Sequence, residues 1–324
     1  MKRIIGIGNA LVDVLIKLEN DNFLVEHSLP KGSMQLVDKD MASKLLSASK
    51  SIKPQLTSGG SASNTIHGLA KLGLQTSYIG KIGKDSYGKI FADDLQLNKI
   101  SPILLQSKNE SGCALTFITP DSERTFATFL GAAVELCADD LTADLFDGFD
   151  LLHLEGYLVF NNALVEKAVL LAKSKGLRIS LDLASFNVVD VNRDFLIKTI
   201  KESVDIVFAN EEEAKSLTGE EPEKALLAIA ELCDIAVVKV GSKGSMVKRG
   251  NDMVRVDAIK AKAIDTTGAG DLYASGFIYG LSQGWNLDKC AKLGSLTAGK
   301  VVETLGAKIT PAGWDEINKT IHAL

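Results

Sequence analysis

Short β-branched runs alternate with longer helical patterns along most of this 324-residue chain. The run RIIGIG near the start is typical of a buried strand, SASNTIHGLAKLG of a helix, and TSYIGKIG of a second strand. Apolar strands separated by helices predict a mostly parallel sheet covered on both faces, because parallel neighbours need a crossover connection. We therefore expect an α/β fold with a doubly wound sheet, built as a single domain over residues 1–324.

The alternation continues to the end of the chain. Further strands are predicted at LLHL, RISLDL, DIVFAN and IAVVKVG. Further helices are predicted at SYGKIFADDLQLNK, NALVEKAVLLAKSKG and EEEAKSLTG, and then from Asp271, from Leu287 to Glu303 and from Ala312.

Two segments interrupt this pattern, at about 11–38 and 111–134. The second is predicted to be a hairpin, with strands CALTFIT and RTFATFL joined by the turn PDSE. Together the two segments predict a small antiparallel β lid over one end of the main sheet, where open α/β sheets bind ligands. A lid there would exclude water from a reaction. A peripheral hairpin that only packs explains the pattern equally well.

Composition excludes several functional classes. Hydrophobic residues make up 46% of the chain, and the net charge is −5 with no basic run, so neither disorder nor a nucleic-acid surface is expected. No stretch reaches about 18 uninterrupted apolar residues, so no membrane span is expected. The four cysteines are far apart, which favours reduced thiols and a cytoplasmic location. Asn9 and Asp13 interrupt the first apolar run, which argues against a signal peptide.

The stretch DTTGAGDLYASGF, from Asp265 to Phe277, carries the clearest chemical signal. Its glycines permit a tight turn, so the N–H groups of Gly268, Ala269 and Gly270 would form an anion-binding nest at a helix start. A carboxylate at that place would repel an anion unless it had a role in the chemistry. We infer that Asp271 is a general base for a hydroxyl that attacks phosphorus. The alternative is that Asp271 only caps the helix.

Other common motifs are absent or weak. The chain contains no G-x-x-x-x-G-K-[ST], so it has no Walker P-loop. GIGNAL begins like a dinucleotide fingerprint, but Leu11 stands where the third glycine belongs. The histidines show no metal-ligand spacing and are expected in the core or in solvent; they are His27, His67, His153 and His322.

TTGAGDLYASGF resembles the C-terminal signature of the ribokinase-like (PfkB-type) family of sugar and nucleoside kinases. SGGSASNT, NEEEA and VGSKG resemble three further motifs of that family, in the family's order and with similar spacing. The resemblance covers essentially the whole chain. It implies a Rossmann-like, mostly parallel sheet with a small antiparallel β lid. It also implies ATP-dependent phosphoryl transfer to an alcohol group, with Mg²⁺.

The resemblance also implies roles at the nucleotide end. Asp271 would be the base, and Gly268, Ala269 and Gly270 the anion hole. Asn210 and Glu213 would lie near the phosphates, with Glu213 holding Mg²⁺ through water, although NEEEA alone would be interpreted as only a charged helix start. Gly241 and Gly244 would shape the loop around adenine and ribose. Lys239 stands where the family often has threonine, so the nucleotide contacts are expected to differ there.

Three further positions carry cation or phosphate roles in the family. Asp265 and Thr267 match residues that help bind a monovalent cation, which suggests K⁺ as an additional cofactor; Gly306 could help close that loop. The alternative for Asp265 is a structural turn carboxylate. Arg124 corresponds to a lid arginine that reaches the phosphates in related nucleoside kinases, and a solvated turn arginine is the alternative.

The acceptor side is implied by a second set of residues. Carboxylate and amide groups suit the clamping of adjacent hydroxyls. In the family, the sugar is held at the positions of Asn9, Asp13, Gly59, Gly60 and Asn64. The alternative is that Asn9 and Asp13 only mark a loop.

The acceptor itself is predicted less directly. GNALVDVL, GGSASNT and LGAAVEL are closer to adenosine kinases than to ribokinases, and apolar residues suited to packing against a base occur in the lid and near it. These are Leu11, Leu36, Phe117 and Phe129, with Tyr157. Core packing of a small lid explains them as well.

We expect a kinase of the 5′-hydroxyl of adenosine or a related nucleoside. The main alternative is a kinase of ribose, a ketohexose or a keto-deoxy sugar acid. A nucleoside-binding regulatory protein and a nicotinamide dehydrogenase are two further alternatives, disfavoured by Asp271 and by the missing third glycine. The small molecule is the only partner expected, on a monomer or homodimer; the sequence leaves the acceptor, the oligomeric state and the strength of K⁺ dependence open.

Overall fold

A computed structural model describes residues 1–50, 52–121 and 123–321. Two features discussed above, Ser122 in the hairpin turn and His322, lie outside these residues. The described chain forms fourteen strands: β1 Arg3–Ile7, β2 Leu11–Lys17, β3 Met34–Leu36, β4 Gln55–Gly59, β5 Gln75–Gly83, β6 Ile100–Ser107, β7 Gly112–Ile118, β8 Arg124–Phe129, β9 Leu151–Glu155, β10 Arg178–Asp182, β11 Ile206–Asn210, β12 Ile235–Lys239, β13 Ser245–Arg249 and β14 Asp252–Val256.

Eleven α-helices occur in the same described ranges, along with a few short 3₁₀ turns. They are α1 Asn22–Glu26, α2 Lys39–Ala48, α3 Ser61–Lys71, α4 Ser86–Leu97, α5 Asn162–Ser174, α6 Phe186–Ser203, α7 Glu211–Thr218, α8 Pro222–Ala230, α9 Ala269–Ser282, α10 Leu287–Val301 and α11 Pro311–Ile321. Among these, no helix combines the length and the apolar character needed to cross a membrane.

The larger sheet has the strand order β14-β13-β12-β11-β10-β9-β1-β5-β6. All its neighbours pair in parallel except β13, which runs antiparallel to both β12 and β14. Successive strand residues point to opposite faces, and Ile4 and Ile5 accordingly enter two different hydrophobic cores. The predicted doubly wound, mostly parallel sheet is confirmed.

Helices cover both faces of this sheet. Residues of α3, α4, α9 and α10 pack in one core, and residues of α5 to α8 pack in the other. Both cores need apolar strands, because each strand is buried on its two sides. This explains why strands such as β1, β11 and β12 are mostly apolar and do not alternate with polar residues.

The second, smaller sheet has the order β3-β8-β7-β2-β4. The predicted hairpin is present as the antiparallel pair β7–β8, and β2–β4 is also antiparallel, while β2–β7 and β3–β8 run parallel. The small sheet therefore agrees with the predicted lid strands. Its fifth strand, β4, lies outside the segments predicted from the sequence, since Gln55–Gly59 follows the helix α2.

Several elements were not predicted. The omitted elements are α1, α2, β4, β6, α8 and the β13–β14 hairpin. Most are short or follow a neighbouring element with little separating sequence, so periodicity carries little information about them. Helix α2 has a capping signal, because the side chain of Asp38 accepts a hydrogen bond from the Met41 N–H at 2.8 Å. Helix α9 begins at Ala269, two residues before the predicted Asp271.

Two helices approach each other closely at a glycine. A Cβ atom on Gly68 of α3 would collide with the Ser275 hydroxyl of α9 and lie 2.9 Å from Leu272 Cδ1. Only a residue without a side chain permits this spacing. The spacing brings the first turns of α3 and α9 together, and this is where the polar residues of both helices meet.

Gly68→Ala should therefore push α3 away from α9. We expect a loss of about 1–3 kcal/mol in the free energy of unfolding, the usual cost of overpacking a core, measured by urea denaturation. Gly313→Ala in α11 is the control, because a Cβ there meets only the side chains of Ile309 and Thr310 just before that helix, at 2.7 and 3.4 Å, and no second helix. Equal stability of the two variants would contradict the assignment of Gly68 as a tight helix contact.

Candidate active site

A cavity of about 710 Å³ opens at the carboxyl ends of three neighbouring strands. Asp182, Asn210 and Lys239 are the last residues of β10, β11 and β12, and all three line the cavity. The start of α9 forms the facing wall with Gly268, Ala269, Gly270 and Asp271. The cavity therefore lies where open α/β sheets bind ligands.

The carboxylate of Asp271 is held from α3 by two hydrogen bonds. Ser61 Oγ donates to Oδ1 at 2.7 Å, and Asn64 Nδ2 donates to Oδ2 at 3.0 Å. Burial raises the pKa of Asp271 to about 6, and the negative charge of Asp182 adds to the rise, while the two hydrogen bonds oppose it. The group is therefore mainly ionised at neutral pH and still basic enough to accept a proton.

The turn before Asp271 differs in part from the predicted anion nest. Gly268 has φ +75°, and a Cβ there would lie 2.5 Å from the Cβ of Ala307, so glycine is required. The N–H of Ala269 already donates to Thr266 O at 3.2 Å. In the described chain, the N–H groups of Gly270 and Asp271 donate to no protein acceptor, as expected for a helix start. The N–H of Gly268 likewise has no protein acceptor in the described chain, so three donors at this turn are open to an anion, and Ala269 is the predicted member of the nest that is already engaged.

Lys239 adds a positive charge beside that helix start. Its Nζ lies 2.9 Å from Asp182 Oδ2, and a Cβ on Gly270 would lie 2.9 Å from the same Nζ. Burial disfavours the charged form, but the carboxylates of Asp182 and Glu213 outweigh it and raise the pKa of Lys239. The ammonium therefore stays charged next to the predicted anion hole, at the position where the family often has threonine.

Asn210 and Glu213 form a capping box at the start of α7. Glu213 N–H donates to Asn210 Oδ1 at 2.8 Å, and the Glu213 carboxylate accepts from both nitrogens of Asn210 at 2.7 and 2.8 Å. Burial raises the pKa of Glu213, against the lowering effect of Lys239. Asn210 and Glu213 therefore form a charged helix start, and both residues also line the cavity.

The loop after β12 contributes Gly241 and Gly244 to the same cavity. Their φ angles are +54° and +90°, and a Cβ on Gly244 would collide with the carbonyl of Val256. Both glycines are therefore required by the turn itself, and the turn forms one wall of the cavity.

On the acceptor side, Asn9 is fixed by a residue that was not predicted. Glu155, the last residue of β9, accepts from Asn9 Nδ2 at 2.7 Å, from Asn9 N–H at 3.2 Å and from Ala62 N–H at 3.1 Å. Burial raises the pKa of Glu155 to about 7. A Cβ on Gly60 would collide with the Asn9 carbonyl. Glu155 thus ties the loop after β1 to the start of α3.

Asp13 is buried without a hydrogen bond from any described residue. It is 9% exposed, and its carboxylate lies against Gly59, where a Cβ would collide with it. Burial raises the pKa of Asp13 to about 7, while the charge of Lys308 opposes the rise. Lys308 Nζ also lies 3.4 Å from Asn64 Oδ1. Four predicted residues, Asp13, Gly59, Asn64 and Asp271, are therefore brought together with Lys308.

The apolar residues predicted to face a base are divided among three places. Leu36 and Phe129 line a second cavity of about 530 Å³, and Leu11 lies at the same end of the small sheet, against Gly112. Phe117 is fully buried and packs on Phe23, so it belongs to the core of the small sheet. Tyr157 lines the larger cavity. The two cavities share none of their lining residues.

Asp265 and Arg124 meet each other. Asp265 accepts from the N–H groups of Thr267 at 2.7 Å and Gly306 at 2.5 Å, and its Oδ1 lies 2.9 Å from Arg124 Nε. An η nitrogen of Arg124 donates to Ile264 O at 3.0 Å. Arg124 therefore contacts Asp265, and it is not among the residues that line the larger cavity. The predicted contact of Arg124 with the phosphates stays a prediction.

Four residues of the site were missed by sequence reasoning: Ser61, Glu155, Asp182 and Lys308. Two of them carried a usable signal, because Glu155 and Asp182 are acidic residues at the carboxyl ends of the apolar runs LLHL and RISL. Ser61 lies inside the motif SGGSASNT, but no role was predicted for it. Lys308 follows no recognisable pattern.

Comparison with known proteins decides the family. The profile described as pfkB family carbohydrate kinase matches residues 34–312. The chain belongs to this family. A probable sugar kinase from Rhizobium etli and an adenosine kinase from Sinorhizobium meliloti share its fold with TM-scores of 0.90 and 0.89. Each is 34% identical and covers 98% of this chain, which in turn covers 98% and 99% of theirs.

A sugar kinase from Archaeoglobus fulgidus, described as uncharacterized, is 30% identical over 249 residues. The match covers 74% of this chain and 96% of that protein. The chain is thus a kinase of a family that acts on small sugars and nucleosides, and ATP with Mg²⁺ is the expected pair of cofactors.

The donor set of this kinase fits Mg²⁺ only together with phosphates. In the described residues, no three His, Cys, Asp or Glu side chains are grouped so that they could hold a metal by themselves. Asp182 and Glu213 nevertheless line one cavity. Mg²⁺ commonly takes one or two carboxylates and completes its shell with water and phosphate oxygens. The two carboxylates fit that requirement.

The buried charge of Asp13 predicts a pH-dependent stability. The pKa of Asp13 is about 7 in the folded protein, and its reference value is 3.8. Asp13 therefore contributes fully to stability below pH 3.8, and this contribution is lost as the pH rises through 7. Asp13→Asn should raise the free energy of unfolding at pH 8 by roughly 1–3 kcal/mol, and by less at pH 5. Denaturant melts at both pH values measure this. The exposed Asp257→Asn is the control, and an equal gain at pH 5 and pH 8 contradicts the assignment.

Proposed function

We propose that this protein is an ATP-dependent kinase of the 5′-hydroxyl of adenosine or a related nucleoside. The observation that carries the proposal is the position of the Asp271 carboxylate. It lies at the cavity formed by the ends of β10 to β12 and accepts a hydrogen bond from the side chain of Asn64. Asn64 also contacts Lys308, next to Asp13. A base between a nucleotide cavity and hydroxyl-binding groups is what phosphoryl transfer to an alcohol requires.

The acceptor side supports a ribose ring. The Asp13 carboxylate has no hydrogen bond from the described chain, and a buried acceptor of this kind is favourable only when a ligand pairs with it. Two adjacent ribose hydroxyls are suitable donors. Gly59 and Gly60 allow close approach to the backbone there.

A base attached to the ribose has an apolar place nearby. Leu36 and Phe129 line the second cavity, and Leu11 lies at the same end of the small sheet. Leu36 is 62% exposed, although leucine is normally buried. The adenosine kinase of Sinorhizobium meliloti, similar over nearly the whole chain, supports the same choice of acceptor.

In this proposal, Asp271 takes the proton of the acceptor hydroxyl. The N–H groups of Gly270 and Asp271 and the ammonium of Lys239 stabilise negative charge on the transferred phosphoryl group. Asp182 and Glu213 would hold Mg²⁺, which supplies neutralising charge to the phosphates of ATP. The approach of Lys239 to Gly270 means that one positive charge is already in place before the nucleotide binds.

Asp271→Asn should lower turnover by about 10²–10⁴-fold, the usual effect of losing a general base. The amide keeps the shape of the carboxylate, so ATP affinity should change little. Turnover and ATP binding are measured by coupled ADP release and by calorimetry. Near-wild-type turnover of the purified variant would reduce Asp271 to a helix cap.

The pH profile is the matched control for that variant. Because the pKa of Asp271 is about 6, kcat/KM of the wild type should rise with pH through 6 and then level off. The residual activity of Asp271→Asn should lack this acidic limb. A limb retained in the variant would assign the titration to another group.

A sugar kinase is the second candidate, favoured by Lys308. Its ammonium lies beside Asn64 and near Asp13, where it could pair with the carboxylate of a keto-deoxy sugar acid. Relatives described as sugar kinases occur among the similar proteins. The two candidates differ in whether the second cavity is used.

Acceptor comparison on the wild-type enzyme separates them. We expect kcat/KM for adenosine to exceed that for ribose, fructose and keto-deoxygluconate by on the order of 10² or more. We also expect 2′-deoxyadenosine to be much poorer than adenosine, since one hydroxyl facing Asp13 is gone. Leu36→Ala should reduce activity with adenosine and leave ribose unaffected. Ribose equal to or better than adenosine would refute the nucleoside proposal and leave the sugar kinase.

A further inference from the structure

Arg124 stands at the start of β8, at the tip of the small sheet, and its side chain reaches a loop 140 residues further on. Nε lies 2.9 Å from Asp265 Oδ1, and an η nitrogen donates to Ile264 O at 3.0 Å. The Arg124 side chain is 10% exposed and that of Asp265 is fully buried. The pair is therefore an enclosed ion pair between the small sheet and the loop that leads into α9.

Asp265 connects three parts of the chain. One oxygen accepts from Thr267 N–H inside the loop, and the other accepts from Gly306 N–H in the segment after α10. The backbone N–H of Asp265 itself donates to Val302 O at 3.1 Å. This carboxylate fixes the loop whose next residues are Gly268, Ala269 and Gly270. A fully buried carboxylate needs a positive partner, because burying it alone is costly.

The family resemblance assigned that positive partner to a monovalent cation at Asp265 and Thr267. Such a cation takes carboxylate and carbonyl oxygens. Here Asp265 Oδ1 and Ile264 O are both engaged by Arg124. The residues present therefore do not fit K⁺ at this carboxylate while Arg124 is in place.

We propose that Arg124 takes the place of a monovalent cation in this enzyme and positions the loop from Asp265 to Gly270. Arg124 acts through Asp265 and the turn at Gly268 and touches no reacting atom. The loop is then ordered by a side chain of the small sheet, and activity does not depend on K⁺. This inference rests on phosphoryl transfer by the family and is independent of which acceptor is used.

The test compares thermal stability and turnover in KCl, NaCl and tetramethylammonium chloride at equal ionic strength. For the wild type, we expect the same Tm and the same rate in all three salts. Arg124→Met keeps the length of the side chain and removes its charge. In this variant, KCl should raise Tm by about 2 °C or more over tetramethylammonium. It should also restore a rate that has fallen about tenfold or more.

Two controls separate this from a general effect. Lys31→Met removes another cation of the small sheet, paired with Asp21 and Asp121 at its surface, and should leave the salt response flat. The double variant Arg124→Met with Asp265→Asn has no carboxylate to neutralise, so its K⁺ response should vanish.

Severalfold stimulation of the wild type by K⁺ overturns the proposal, and so does an Arg124→Met variant whose Tm and rate ignore K⁺. If Arg124→Met does not fold in any salt, the wild-type series decides: equal Tm and rate in the three salts support the proposal, and stimulation by K⁺ overturns it. The Tm measurement needs no acceptor, so it stays informative even if the nucleoside assignment fails.

Discussion

The pair of hydrogen bonds from α3 to the carboxylate of Asp271 is the contact on which the site depends. Ser61 and Asn64 can reach Asp271 only because Gly68 lets α3 lie against α9. The same bonds hold down a pKa that burial and the charge of Asp182 raise. Packing between two helices thus sets both the position and the basicity of one carboxylate.

Around that contact, the enzyme collects negative charge beyond what its lysines neutralise. Burial raises the pKa of Asp13, Glu155, Glu213 and Asp271, and the lysines that lie among them in the described part of the chain are Lys239 and Lys308. Charges kept in such surroundings cost stability. Proteins commonly accept that cost where ligands must be bound. We therefore expect the protein without bound ligands to have a lower free energy of unfolding than the same fold would have without these buried charges.

The sequence predicted what depends on local pattern. Strand–helix alternation indicated the main sheet, and the glycines around Asp271 indicated the turn before α9, since both are visible in short windows. Contacts between distant segments could not be found in this way. Asn64 and Asp271 are 207 residues apart, and the pairing of Arg124 with Asp265 is not visible in any short window, although Arg124 itself was singled out. Lys308 became visible only when the strands and helices were packed together.

One residue separates the small sheet from α3, the helix whose side chains donate hydrogen bonds to the Asp271 carboxylate. Strand β4 ends at Gly59 and α3 begins at Ser61, so Gly60, with φ +89°, is the whole connection. A rotation of the small sheet about this residue would displace Ser61 and lengthen its hydrogen bond to Asp271. Loss of that bond raises the proton affinity of the carboxylate further, since the bond favours the charged form. Such a rotation would couple the orientation of the small sheet to the pKa of Asp271.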